Sequence, residues 1–198
     1  MTQKQKFFFL MVLGFLFLSL NVLAEDDFDT TSYNKTLGAS VYGSIQLVDT
    51  LPLVDMGIGG GAFFDWRFNE RFSLMVESFF TTQDGRGQSA ADRSIEFLCI
   101  PASTFKVYIP TKTPQLDPYI GLGIGFYHLR EGDVEDDTAG FGIGAQIEVG
   151  IEYLLADNLM VGVGGTYRSV GLINSLTGPA NASTYMPYTL FGRVGYRF

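Results

Sequence analysis

Eight stretches of two-residue alternation, separated by turn residues, dominate the chain, and from Thr30 onward no long segment of helical period competes with them. They cover approximately 38–48, 54–68, 71–82, 94–109, 118–130, 139–155, 158–170 and 186–198. A period of two sends successive side chains to opposite faces of a strand. Most of these stretches exceed the ~5–6 residues of an average strand and meet or surpass the ~9–11 of a strand tilted across a bilayer. The connections alternate in length: 69–70, 110–117 and 156–157 read as turns at one end, and 49–53, 83–93, 131–138 and 171–185 as loops at the other. That layout predicts an all-β, eight-stranded antiparallel up-and-down transmembrane β-barrel.

Alternation does not by itself say which face is inside, because a soluble barrel also alternates, with its apolar residues in the lumen. Side-chain size is the discriminator. One parity carries Ile58, Ala62, Phe64, Trp66 and Phe68 on strand two, and Phe72, Leu74, Val76 and Phe80 on strand three. It continues with Ile120, Leu122, Ile124 and Phe126 on strand five, then Ile143, Ile147, Val149, Ile151, Tyr153 and Leu155 on strand six. Eight strands enclose a lumen only wide enough for side chains to fill, so this bulk is expected to face lipid. The other parity carries Gly57, Gly59, Gly61, Gly121, Gly123, Gly125, Gly142, Gly144, Gly162 and Gly164. Interspersed with them are Asp65, Arg67, Glu77, Glu96, Lys106, Glu148, Glu152, Arg168, Arg193 and Arg197, five acids and five bases. A closed polar lumen needs that balance, since an unpaired buried charge costs several kcal/mol. Trp66, Phe68 and Phe72 bracket the 69–70 turn, and Tyr153 and Leu155 end strand six, as the anchors of a membrane interface do.

Residues 1–24 have a basic start (Lys4, Lys6), an apolar run over 7–18 and a small residue at Ala24 ahead of Glu25, Asp26 and Asp27. This is the pattern of a secretory signal peptide cut after Ala24. Its apolar core is shorter than the ~20 residues of a spanning helix. Residues 25–37 are then expected as a short periplasmic segment and 38–198 as the barrel. Cleavage removes two lysines and no acid, taking the formal charge from −8 to −10, which argues against a nucleic-acid partner. Cys99 is the single cysteine and is expected to be a small apolar strand residue.

Three phrases carry a family resemblance: PYIGLGIGFYHL at 118–129, IEYLLADNLMVGVGGTYR at 151–168, and GRVGYRF at 192–198. With the eight strands they resemble the small eight-stranded bacterial outer-membrane β-barrel family of the OmpA and OmpX type, over nearly the whole mature chain. The resemblance implies an outer-membrane location, contact with outer-membrane lipid and lipopolysaccharide, and both termini in the periplasm. It also implies handling by the barrel-assembly machinery, with Val194, Tyr196 and the terminal Phe198 as the assembly signal on one face of the last strand. No periplasmic peptidoglycan-binding domain is expected after that strand. Such phrases specify architecture and not activity.

Two enzyme types are known on barrels of this kind, a lipid A palmitoyltransferase and a lipid A deacylase. His128, the sole histidine, shares the parity of Ile124 and Phe126, toward lipid. A deacylase of that type needs a serine two residues away on the same face, with a carboxylate to orient the imidazole. Position 130 is Arg, so no catalytic residue is assigned. His128 and Arg130 are instead expected at the outer headgroup level, against lipopolysaccharide phosphates. Glu131, Asp133, Glu135, Asp136 and Asp137 crowd one loop without the spacing or central glycine of a calcium loop, and no Gly-x-Gly opens a helix after a strand. Neither metal nor cofactor is therefore expected. Three functions remain, in order: a structural or surface-interaction barrel with a plugged polar lumen, whose loops meet a surface ligand the sequence does not name; a narrow pore for small solutes; and, remotely, a lipid A-modifying barrel enzyme. A lumen filled by paired charges blocks flow, whereas one lined by a single sign conducts.

Overall fold

The computed structural model describes residues 35–46, 56–84, 94–113, 115–132, 138–174 and 181–198. They form nine strand segments: β1 (Lys35–Gln46), β2 (Gly57–Arg67), β3 (Phe72–Asp84), β4 (Ser94–Tyr108), β5 (Leu116–Gly132), β6 (Thr138–Ala156), β7 (Leu159–Asn174), β8 (Asn181–Tyr185) and β9 (Pro187–Arg197). From β1 to β8 each segment pairs with the next along the chain, and β9 pairs with β1 and β7, so the sheet closes on itself. All pairings are antiparallel. β8 and β9 make one stave, because Tyr185 opposite Val170 and Tyr188 opposite Tyr167 hold the same register on β7. The interruption at Met186 precedes Pro187, which has no N–H to give to a ladder. The barrel thus has eight staves, as the alternation predicts.

β3, β5, β6 and β7 run farther toward the loop end than their sequence limits. β5, β6 and β7 span 17, 19 and 16 residues against 11 for β2. Part of the expected 171–185 loop is strand, because Val170, Leu172 and Tyr185 continue the inward row and pack in one buried apolar cluster. At the opposite end Asn69 Oδ1 accepts from the N–H groups of Arg71 and Phe72, at 2.8 and 2.9 Å, and so builds the short turn. Lys35 and Phe198 exchange backbone hydrogen bonds of 3.1 and 2.8 Å and close the seam between the first and last staves.

The apolar parity of strands two, five and six faces outward. Two expectations about the interior need correction. Size alone does not exclude rings from the lumen, since Tyr42, Phe63, Phe79, Phe97, Tyr108, Tyr119, Tyr127, Tyr185 and Phe191 are all buried there. Glycine makes the room: a Cβ on Gly38 would press on the Phe63 ring, one on Gly164 on the Phe191 ring, and one on Gly150 would lie 2.7 Å from Tyr119 Oη. Phe72, expected at the exposed interface, is buried and stacks on Phe105 at 5.6 Å.

The second correction concerns β4. Cys99 and Ala102 lie opposite Phe79 and Glu77 on β3 and opposite Tyr127 and Gly125 on β5. β4 therefore spends two residues, Ile100 and Pro101, where each neighbour spends one, and both of them face outward. This bulge reverses the parity. Above it Ile95, Phe97 and Cys99 point inward and are buried, while Glu96 points away from the lumen.

Candidate functional site in the lumen

At mid-height the lumen is crossed by charged side chains. Glu77 on β3 receives Arg168 Nη2 from β7 at 3.1 Å and Arg193 Nη2 from β9 at 3.3 Å. β3 and β7 are four staves apart in either direction around the ring, so the Arg168–Glu77 pair spans the lumen. Arg193 also holds Glu148 of β6 through contacts of 2.8 and 3.2 Å. Neutral groups complete the shell. Tyr42 donates to Glu77 at 3.0 Å, and Tyr119 and Thr166 donate to Glu148 at 2.6 and 3.2 Å. Gln146 donates to Thr104 at 2.6 Å and to Glu77 at 3.3 Å, and accepts from Tyr127 at 2.9 Å and Arg168 Nε at 3.0 Å. Arg168 Nη1 donates to Thr189. The guanidiniums lie over the Phe79 and Phe191 rings, at 4.4 and 3.9 Å.

A second cluster lies nearer the short turns. Lys106 Nζ on β4 meets Asp65 of β2 at 2.5 Å and Glu152 of β6 at 2.7 Å, and Tyr108 donates to Glu152 at 3.0 Å. Arg67 closes the turn end, 2.6 Å from Asp117, with its guanidinium over the Tyr108 ring and donating to the carbonyls of Asn69 and Glu70. Arg197 sits partly exposed at its strand end, with no ion pair shown among the described residues, and its backbone pairs with Asn158.

The charge tally therefore differs from the sequence expectation of five acids and five bases. The buried set is Asp65, Glu77, Glu148 and Glu152 with Lys106, Arg168 and Arg193. Glu96 has left it for the outer face, where it lies 3.7 Å from Arg130 with both side chains about half exposed, 55% and 49%. Asp117 falls in the expected 110–117 turn, whereas β5 begins at Leu116 and carries Asp117 with it. Tyr119 and Gln146 stand on the same parity as Gly121 and Glu148, a signal that a search confined to charges passes over.

Toward the loop end the lumen turns aromatic. Phe97 stacks on Tyr127 at 5.2 Å and packs on Tyr185 at 5.0 Å, with Ile95, Leu129 and Leu172 in the same cluster. His128 lies on the outer face, its ring 4.5 Å from that of Phe141. Val194, Tyr196 and Phe198 form an exposed outward row at the foot of the last stave. Asp133, Glu135, Asp136 and Asp137 lie outside the described residues.

The barrel is similar to Neisserial surface protein A, with a TM-score of 0.56 and 14% identity over 83% of this chain and 96% of that one. It is also similar to the outer membrane protein OprG from Pseudomonas aeruginosa, with a TM-score of 0.54 and 14% identity over 87% of this chain and 99% of that one. The attachment invasion locus protein Ail of Yersinia pestis gives a TM-score of 0.50 and 12% identity over 83% of this chain and 96% of that one. At these identities the likeness extends to the fold alone. No curated protein sequence matches the chain. The family described as "Outer membrane protein beta-barrel domain" matches residues 10–198, and the chain belongs to it, as an eight-stranded barrel of the bacterial outer membrane.

Proposed function

We propose that this barrel is closed to solutes and serves as a rigid membrane scaffold, acting at its outer, loop-bearing end on a surface ligand. The observation that carries the reading is the Arg168–Glu77–Arg193–Glu148 chain across the ring, with its side chains fully buried. Opening a path means parting at least one such pair while the interior around it is still dry. That costs on the order of 3–5 kcal/mol, which keeps an open state below about 1% of molecules. The aromatic layer above adds a second, dewetted barrier. No catalytic step enters this reading. Planar-bilayer recordings of the refolded protein test it: no steady conductance is expected, and a stable open channel in the unmodified protein would put the narrow pore first. For the surface role, capture of partners on intact cells should fall when 133–137 and 175–180 are shortened; unchanged capture would count against it.

A further inference from the structure

A shallow groove of about 460 Å³ is cut into the outer face of the barrel, lined by Ile100, Phe126, His128, Phe141, Ile143 and Gly171. Its origin is local. The β4 bulge sets Ile100 outward beside Phe126, and Gly171, opposite Ile143 on the next stave, has no side chain to fill the space. Strand geometry sets its height. The stretch from Phe141 to Tyr153 is ~40 Å long at ~3.4 Å per residue, or ~30 Å along the membrane normal at a tilt of ~40°. An outward apolar band is ~25 Å tall, so with Tyr153 at the inner girdle the groove sits at the outer edge of the bilayer.

The groove is continuous with the lipid-facing surface, and of the two polar residues in its lining His128 faces outward while Tyr127 turns its hydroxyl to Gln146 in the lumen. Two residues farther toward the loops on the same face stands Arg130, its side chain about half exposed and 3.7 Å from Glu96. We propose that the groove holds one acyl chain of an outer-leaflet lipopolysaccharide, with the His128 imidazole hydrogen-bonded where acyl chain meets sugar and Arg130 turned to a phosphate. Within a bilayer an acyl chain gains no hydrophobic free energy by entering a protein groove. Selection rests on packing contacts along the trough and on the polar groups at its outer end. A phospholipid tail would fill the trough but offers that end fewer phosphates. The inference is independent of whether the lumen conducts.

The test uses the full mature chain refolded into phosphatidylcholine nanodiscs carrying equal small amounts of lipid A and phosphatidylglycerol, with native mass spectrometry of the lipid retained. Gly171→Leu fills the groove at little structural risk, because a Cβ there has only Ile143 O within reach, at 3.9 Å. The unmodified barrel should keep lipid A in preference to phosphatidylglycerol. Gly171→Leu should lower lipid A retention about fivefold, the loss expected from some ten carbon–carbon contacts. His128→Phe, which leaves the trough apolar, should weaken the preference for lipid A while phosphatidylglycerol retention holds. Heat-modifiable migration on gels shows that each variant is folded. Equal retention of the two lipids by the unmodified barrel, or undiminished lipid A on folded Gly171→Leu, would overturn the proposal.

Discussion

Glu77 accepts hydrogen bonds from Tyr42, Gln146, Arg168 and Arg193, which stand on four other staves. Glu77→Ala leaves two guanidiniums facing each other across a desolvated gap, and a loss on the order of 3–5 kcal/mol is expected. Glu96→Ala removes a half-exposed carboxylate from a 3.7 Å pair and should cost under about 1 kcal/mol. Urea titration of the refolded barrel, followed through its single tryptophan, Trp66 on the outer face, measures both. Equal losses would mean that water reaches Glu77. The two glutamates also show how far residue-level reading reaches. Parity placed Glu77 in the lumen because β3 alternates without interruption to its end, and it misplaced Glu96 because one extra residue below it reverses the phase.

That extra residue is a property of an element. Pro101 lacks an N–H for the ladder, and the two-for-one step at Ile100 and Pro101 directs Phe97 onto Tyr127 and Tyr185 instead of into lipid. Deleting Ile100 should leave a single outward residue between Cys99 and Ala102, restore simple alternation and keep Cys99 facing the lumen, where it is fully buried. A lipid-soluble maleimide should therefore leave the folded deletion variant and the unmodified barrel alike unlabelled; labelling of the deletion variant, with Cys99 turned to lipid, would deny the bulge its phase-setting role. The last stave makes a different prediction. Phe198 binds Lys35 through its backbone, while its ring lies outside, near that of Tyr196. Phe198→Ala should therefore leave the stability of refolded barrel within about 0.5–1 kcal/mol. In cells it should lower the amount of heat-modifiable barrel in the membrane fraction more than a loop substitution such as Asp136→Ala does, and equal amounts would remove Phe198 from the assembly signal.

For the whole molecule, the export reading of residues 1–24 predicts that intact-mass measurement of outer-membrane material finds a chain beginning at Glu25. A chain still beginning at Met1, or recovery as a soluble species, would contradict it. The number of staves, their up-and-down order and the outward face of most of them were legible in the sequence, because a period of two is a local property and bulky apolar rows must face lipid wherever the strand is uninterrupted. The contents of the lumen were not. Arg168 and Glu77 stand 91 residues apart, and they meet because eight staves close at a diameter that two long side chains can bridge. The rings of Phe63, Phe191 and Tyr119 fit inside because register sets a glycine on a neighbouring stave against each of them. Alternation along one strand carries no information about register against the next or about the width of the closed ring, so these meetings were decided by the tertiary structure alone.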